Sequence, residues 1–490
     1  MNHKLEKANN YISENKSKVN HKFRHQYHLM GEVGWINDPN GFSMFKGEYH
    51  LFFQYHPYSA KWGPMHWGHA KSKDLISWEP LPVALSPVGD ESSPEGGTIF
   101  SGCAIEKDNL QYLIYTENWP KRQVQSIARS VDGINYEPLA INPIIDTQML
   151  PDNSSPADFR DPKVWKKGEF YYLVVTSRTL NDKGQLLLYK SQDLKTWKFE
   201  STLITHGRDL GYIWECPDIF SLRDKDILLV SAQYFPSKDN DFNNVHSSLY
   251  FVGDLDYNQG KYDFSDFKEI DNGFDFYAPQ TIIDDKNRRI MIAWMAMWER
   301  TMPTNVLGHN WAGSITLPRV LDLVDGCLIQ KPVEEIKNYR LNLEELNEVI
   351  SKEQTTVFKG EVCELEVKIN NIDALSFGIK LFQGEFCETV LTYDVEKELL
   401  IFDRSNSGNI MESETNREKD ILLRKTKVLL EDNQLSLQIF LDKSSVEVFI
   451  QNGKKTMTAL VYPFDGSDRI SIFAKEGKAR FKINKWDLKR

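Results

Sequence analysis

A pattern of about sixty residues recurs five times within roughly the first 300 residues of this 490-residue chain, and it restricts the fold more than any other feature. Each unit has a polar or glycine turn and then an apolar-aromatic run: GEYHLFFQYHP from Gly47, NLQYLIYTEN from Asn109, GEFYYLVVTSR from Gly168, DILLVSAQYF from Asp226 and NRRIMIAWMA from Asn287. A shorter extended segment precedes each run: DPNGFSMF from Asp38, SGCAIEKD from Ser101, DPKVWKK from Asp161, CPDIFSL from Cys216 and APQTIIDD from Ala278. A third marker is Ser-x-Asp with an aromatic four residues after the Asp, seen at Ser72, Ser130 and Ser191 with Trp78, Tyr136 and Trp197. Tight-turn residues ahead of an aromatic suit a hairpin between outer strands. Five such units predict an all-β chain built as a five-bladed β-propeller. A pair of β-sandwiches is the alternative and accounts less well for the repeat.

The propeller is expected over residues 22–332, after an N-terminal extension, residues 1–21, that carries a docked helix. KPVEEIKNYRLNLEELNEVI spaces its apolar residues at roughly helical intervals, which predicts a helical linker over 333–353. From residue 354 the period becomes two, as in CELEVKI, and Asn452-Gly453 marks a type I′ hairpin. An antiparallel β-sandwich over 354–490 follows. A net charge of −11 argues against nucleic acid and anionic membrane partners. No apolar run approaches a membrane span, and the first residues lack the apolar core of a secretory signal. Five scattered cysteines, never in CxxC spacing, predict neither a disulfide framework nor a zinc site and place the chain in the cytoplasm. His66 and His69 have no carboxylate at ligand spacing, so no metal site is expected there.

Asp38 and Asp161 both precede proline, and Glu215 stands just ahead of Cys216-Pro217. Proline belongs at the start or edge of a strand and biases the residue before it towards extended backbone. A lone Asp-Pro is more often a turn than a site. Three carboxylates in register on separate units, however, converge on one end of a propeller channel. Two carboxyls of unequal proton affinity are what glycosidic hydrolysis requires. Glu215, beside Trp214 and Cys216, is expected to retain its proton in an apolar setting, and Asp38, between Asn37 and Asn40, to be ionised. Arg160 is expected to hold Asp161 charged. Trp62, Trp67, Trp119 and Trp298 are candidate sugar platforms.

At these residues the chain resembles a known family. WINDPNG, FRDP and ECPD are similar to the three signature blocks of the invertase family, glycoside hydrolase family 32, and LFFQYHP, FSGCA, DFYAPQ, WAGSITLPR and SSVEVF support the likeness. Ile36, where many members carry methionine, is a mild departure. The resemblance implies a propeller plus sandwich and retaining hydrolysis of β-fructofuranosides, with sucrose 6-phosphate or sucrose as substrate. It implies Asp38 as nucleophile, Glu215 as acid and base, and Asp161 as transition-state stabiliser beside Arg160. It places Asn37, Gln54, Trp62, Phe100, Ser101, Tyr277 and Trp298 around the fructosyl unit. No metal or organic cofactor is implied, and the expected partner is a small-molecule sugar, with no nucleic acid or membrane, in a monomer or homodimer. Lys121, Arg122, Arg178, Arg300 and His309 are all candidates for a phosphate pocket. The competing readings are a general β-fructosidase of short fructo-oligosaccharides, a non-catalytic sugar-binding propeller and an inverting arabinan-cleaving enzyme.

Overall fold

The computed structural model describes residues 3–89, 97–351, 355–418 and 420–490. Regular structure in them is almost entirely β. The short segments marked in the sequence become the first strands of five sheets: β1 (Gly34–Phe45), β2 (Thr98–Lys107), β3 (Ser154–Lys167), β4 (Trp214–Leu222) and β5 (Tyr277–Ile283). Three further antiparallel strands follow each of them in sheet order. The first sheet gains a two-residue strand, Trp311–Ala312, which runs parallel to β1 and ties late chain to early chain through Gly34 and Trp35. The five first strands touch in a closed ring, with β5 against β1.

The apolar runs are the second strands, and they are buried on both faces, which is why they read as continuous rather than alternating. Leu173 and Val175 pack with Ile114 and Ile127 of the preceding sheet. Val174, between them, packs with Leu228 and Phe251 of the following one. The Ser-x-Asp marker is a side-chain-built turn: Ser72 Oγ donates to Asp74 Oδ1 at 3.1 Å, and Asp74 Oδ1 accepts the amides of Ile76 and Ser77 at 3.0 and 2.8 Å. Ser130 with Asp132 and Ser191 with Asp193 repeat it. The N-terminal helix, His3–Asn15, buries Ala8 and Ile12, and Asn9 Oδ1 accepts the Val83 amide at 3.0 Å.

Beyond the ring, two six-stranded antiparallel sheets enclose one apolar core. The expected helical linker is not helical. Glu334–Tyr339 is a 3-10 turn and Arg340–Ile350 is a strand paired with Ala479–Leu488; residues 352 and 353 lie outside the described residues. The C-terminal unit therefore starts before residue 354.

Two buried charge networks lock this unit to the five-sheet unit. In the first, Asp442 and Glu447 accept from the two nitrogens of His28 at 2.8 and 2.9 Å, and Arg319 joins Glu447 to Asp271 at 2.7 and 3.0 Å. In the second, Arg300 and Arg404 share Asp275, while Arg300 and Arg424 share Glu418. No described helix is long and apolar enough to cross a membrane.

Candidate active site

At a matching place on each of β1–β5 the pairing with the next strand slips, between Ile36 and Pro39, Phe100 and Gly102, Arg160 and Lys163, Glu215 and Asp218, and Tyr277 and Gln280. These are β-bulges, which re-aim side chains next to a site. The extended backbone expected ahead of proline fails at three places: Asp161, Cys216 and Ala278 have φ of 65°, 47° and 52°. The bulge demands a left-handed residue there and overrides the local bias. On the second strand the prolines are absent and Gly102 does the work, because a Cβ there would lie 2.1 Å from the Ile114 carbonyl oxygen.

The bulges bring two successive residues of each strand to one place: Asn37–Asp38, Phe100–Ser101, Arg160–Asp161, Glu215–Cys216 and Tyr277–Ala278. Hydrogen bonds then cross from strand to strand. Ser101 Oγ donates to Asp38 Oδ2 at 2.7 Å and Asn37 Nδ2 to Asp38 Oδ1 at 3.1 Å, while Cys216 Sγ lies 3.4 Å from Asp38 Oδ2. The Cys216 amide donates to Asp161 Oδ2 at 3.1 Å. Arg160 donates to Glu215 Oε1 through Nε and Nη2 at 3.2 and 3.0 Å, and Tyr277 Oη to Glu215 Oε2 at 2.7 Å.

This arrangement corrects two electrostatic expectations. Arg160 spends its short bonds on Glu215 and stands 3.9 Å from Asp161. Burial raises both carboxyls, but at Glu215 the Arg160 guanidinium and the Tyr277 hydroxyl outweigh it, and the carboxyl falls below its ordinary value. Asp161 is pushed up to about 7 by burial, against the pull of Arg160 and with the help of Glu215 and Asp38. The Trp214 ring is fully buried and stacks on His206 with ring centres 4.2 Å apart. Asp38 also lies above its usual value, through burial and then Glu215, with Ser101 and Asn37 opposing. Asn40 accepts from the Gly102 amide at 3.2 Å and does not support Asp38.

A cavity of about 540 Å³ holds the three acids with Asn37, Gln54, Trp62, Phe100, Ser101, Arg160 and Trp298. Tyr277 stands behind Glu215 and does not line it. Trp62 is 40 % exposed at the rim, and Gln54 Nε2 is a buried donor with no partner among the described atoms. Trp67 is fully buried core, and Trp119 binds Glu117 away from the cavity. His66 and His69 are core histidines; His69 stacks on Phe52 at 4.1 Å.

Gln123, Asp158, Gln233, Tyr234, His246, Glu299 and Glu414 also line the cavity, and sequence reasoning missed them. Gln123, Gln233 and His246 sit on second or third strands, where no motif marks them. Of the five suggested phosphate binders, none lines the cavity: Arg300 is in the buried network, His309 stacks on Phe23, Arg122 pairs with Asp146, Arg178 pairs with Asp158, and Lys121 lies in a turn.

Comparison with known proteins places this geometry. The model for the glycosyl hydrolases family 32 N-terminal domain matches residues 28–332, and that for the family 32 C terminal matches residues 333–487. A sucrose-6-phosphate hydrolase of Zymomonas mobilis is 36 % identical, over 94 % of this chain and 91 % of its own. The structure of the Bombyx mori family 32 β-fructofuranosidase BmSUC1 superposes with a TM-score of 0.86 at 34 % identity, covering 99 % of this chain and 98 % of the other. A sucrose-6-phosphate hydrolase structure from Lactobacillus gasseri gives 0.85 at 27 %, covering 98 % and 96 %.

Proposed function

Because the chain belongs to glycosyl hydrolase family 32, we propose that it is a retaining β-fructofuranosidase that hydrolyses the fructosyl bond of sucrose 6-phosphate or sucrose. The observation that carries this reading is the bulge-built cavity, in which Asp38, Asp161 and Glu215 meet and Arg160 bonds Glu215 at 3.0 Å while standing 3.9 Å from Asp161. We read the ring of five sheets, residues 22–332, as a five-bladed propeller and the two six-stranded sheets as a β-sandwich. The five cysteines are all free thiols, consistent with a cytoplasmic place.

The two-step chemistry is assigned as follows. Asp38 attacks the anomeric carbon of the fructosyl unit while Glu215 passes a proton to the glycosidic oxygen, and the glucosyl portion leaves. Glu215, now a carboxylate, takes a proton from water as that water attacks the same carbon and frees Asp38. Ser101 and Asn37 hold the nucleophile by its own oxygens. Asp161 and the unpaired Gln54 amide bind fructosyl hydroxyls. A hydroxyl placed between Arg160 and Asp161 loosens the grip of Arg160 on Glu215, and that carboxyl then gains affinity for the proton that Asp161 holds. Trp62 supplies an apolar ring face at the rim.

The test is turnover of full-length D38A and E215A on sucrose and on sucrose 6-phosphate. Each removes a chemical role and is expected to lower kcat by about a thousandfold or more with the thermal midpoint nearly unchanged. Near-parental turnover in either variant removes that residue from the reaction.

A further inference from the structure

A second cavity, of about 770 Å³, adjoins the catalytic one, and Tyr234 lines both. We propose that this basin is the subsite for a phosphate monoester on the leaving glucosyl unit, and that the C-terminal unit supplies part of its cationic lining. The inference rests on the β-fructofuranosidase reading and goes beyond it by locating the group that separates a phosphorylated from a plain disaccharide.

Charge sets the division. The catalytic cavity is lined by six carboxylates against the single guanidinium of Arg160, so a phosphate dianion is repelled from it. The adjoining basin reverses the balance, with Arg208, Arg417, Arg424 and Lys425 against Asp239 and Asp420. Arg424 belongs to the buried network; Arg208 pairs with Asp182 at 2.8 Å and Arg417 with Glu299 at 2.6 Å, each through one nitrogen, so their remaining N–H groups and Lys425 are what can meet a ligand. The Arg208 guanidinium lies 4.0 Å from the Tyr212 ring centre and that of Arg417 lies 4.4 Å from Tyr234. Stacking on a ring face fixes the guanidinium plane and leaves edge N–H groups for a planar or tetrahedral oxyanion. Both arginines remain more than half exposed. Lys425 is half-buried in the basin and has no carboxylate partner among the described residues.

The wall between the cavities is also unusual backbone. Tyr234 and Glu299 have φ of 51° and 59°, and bulky residues persist in that region only when their surroundings hold them. What holds them is a loop from the C-terminal unit. Tyr234 Oη donates to Glu299 Oε1 at 2.9 Å, Arg417 Nη1 donates to the same oxygen at 2.6 Å, and Thr415 Oγ1 donates to Glu299 Oε2 at 2.5 Å. Glu414, on this loop, reaches the catalytic cavity, while Arg417 faces the basin. A disaccharide with its fructosyl unit among the three acids therefore directs its other ring past Tyr234 towards the cations.

The experiment compares kcat/KM for sucrose 6-phosphate and for sucrose in the full-length protein and in R208Q/K425Q, whose replaced side chains are exposed or half-exposed and outside the core. The parent is expected to prefer the phosphorylated sugar, and the ratio of the two constants is expected to fall at least about tenfold in the variant, the size of one lost charge-assisted contact. Glucose 6-phosphate is expected to inhibit sucrose hydrolysis competitively in the parent and about tenfold less well in the variant, while glucose inhibits both alike. A ratio that moves less than about twofold, or a parent indifferent to the phosphate, overturns the subsite while hydrolysis of sucrose upholds the enzyme reading. Failure to cleave either sugar overturns both. K425Q and R417Q, each scored alone by the same ratio, separate the contribution of the C-terminal unit from that of Arg208, and an unchanged ratio in both removes that unit from the subsite.

Discussion

Arg160 decides which carboxyl in the catalytic cavity holds a proton, and it does so by reaching across strands. It precedes Asp161 in sequence, yet its short bonds go to Glu215, 55 residues on. Adjacent letters therefore misled the electrostatic reading, although the register of the repeat located all three acids. With Asp161 near 7 and Glu215 held low, Asp161 keeps its proton below about pH 7 and loses it above. Since the leaving oxygen needs that proton, kcat/KM is expected to fall as pH rises through about 7. Arg160→Gln removes the guanidinium that opposes burial, so both carboxyls rise and the basic limb moves to higher pH, with lower activity throughout. A basic limb that stays in place in this variant contradicts the assignment. Gln123, Gln233 and His246 were illegible because they reach the cavity from strands whose sequence reads only as apolar run and edge.

Among elements, the Ser-x-Asp turn shows how much a short marker can specify. The residue after the Asp is left-handed in all three copies, Leu75, Gly133 and Leu194, with φ of 68°, 75° and 71°. At Gly133 a Cβ would also stand 2.8 Å from Phe45 Cδ1. Gly133→Ala is expected to lower the unfolding free energy by about 1–2 kcal/mol, read as a lower urea midpoint at unchanged slope. An unchanged midpoint means that the turn relaxes freely.

The strand Arg340–Ile350 shows the opposite case. Its apolar letters imitate a helix, but Leu341 and Leu343 are exposed, and pairing with Ala479–Leu488, more than a hundred residues away, decides its conformation. Helical spacing carries no information about a distant partner strand. Four of the five bulges were legible as prolines: X-Pro marked their place, while at three of them local bias pointed to the wrong backbone region.

In the whole molecule the two units are joined by buried charge, and His28 gives that junction a pH dependence. Burial alone lowers its pKa, but Asp442 and Glu447, bonded to its two nitrogens, raise it from 6.5 to about 9. A folded pKa above the unfolded one means stability fully present below pH 6.5 and lost as pH rises through about 9. The contribution is on the order of 3 kcal/mol. The stability difference between the parent and H28Q is expected to shrink across that window, and a constant difference counts against a buried imidazolium.

The same networks make the two units a single body. Arg319→Ala, which leaves Glu447 and Asp271 without their shared partner, is expected to destabilise the full chain by about 3–5 kcal/mol by denaturant titration. That the chain forms a ring and then a second β unit was readable from periodicity. The buried arginines that join them were not, since partners such as Arg319 and Glu447 are distant in sequence.

The account turns on Asp38 forming a bond to the fructosyl carbon, and one measurement addresses that directly. E215A, treated with a fructosyl donor whose leaving group needs no proton and then digested for peptide mass analysis, should accumulate a fructosyl ester on the peptide containing Asp38. Sugar attached to Asp161 instead, or fructose released with inverted configuration and no adduct, would contradict it.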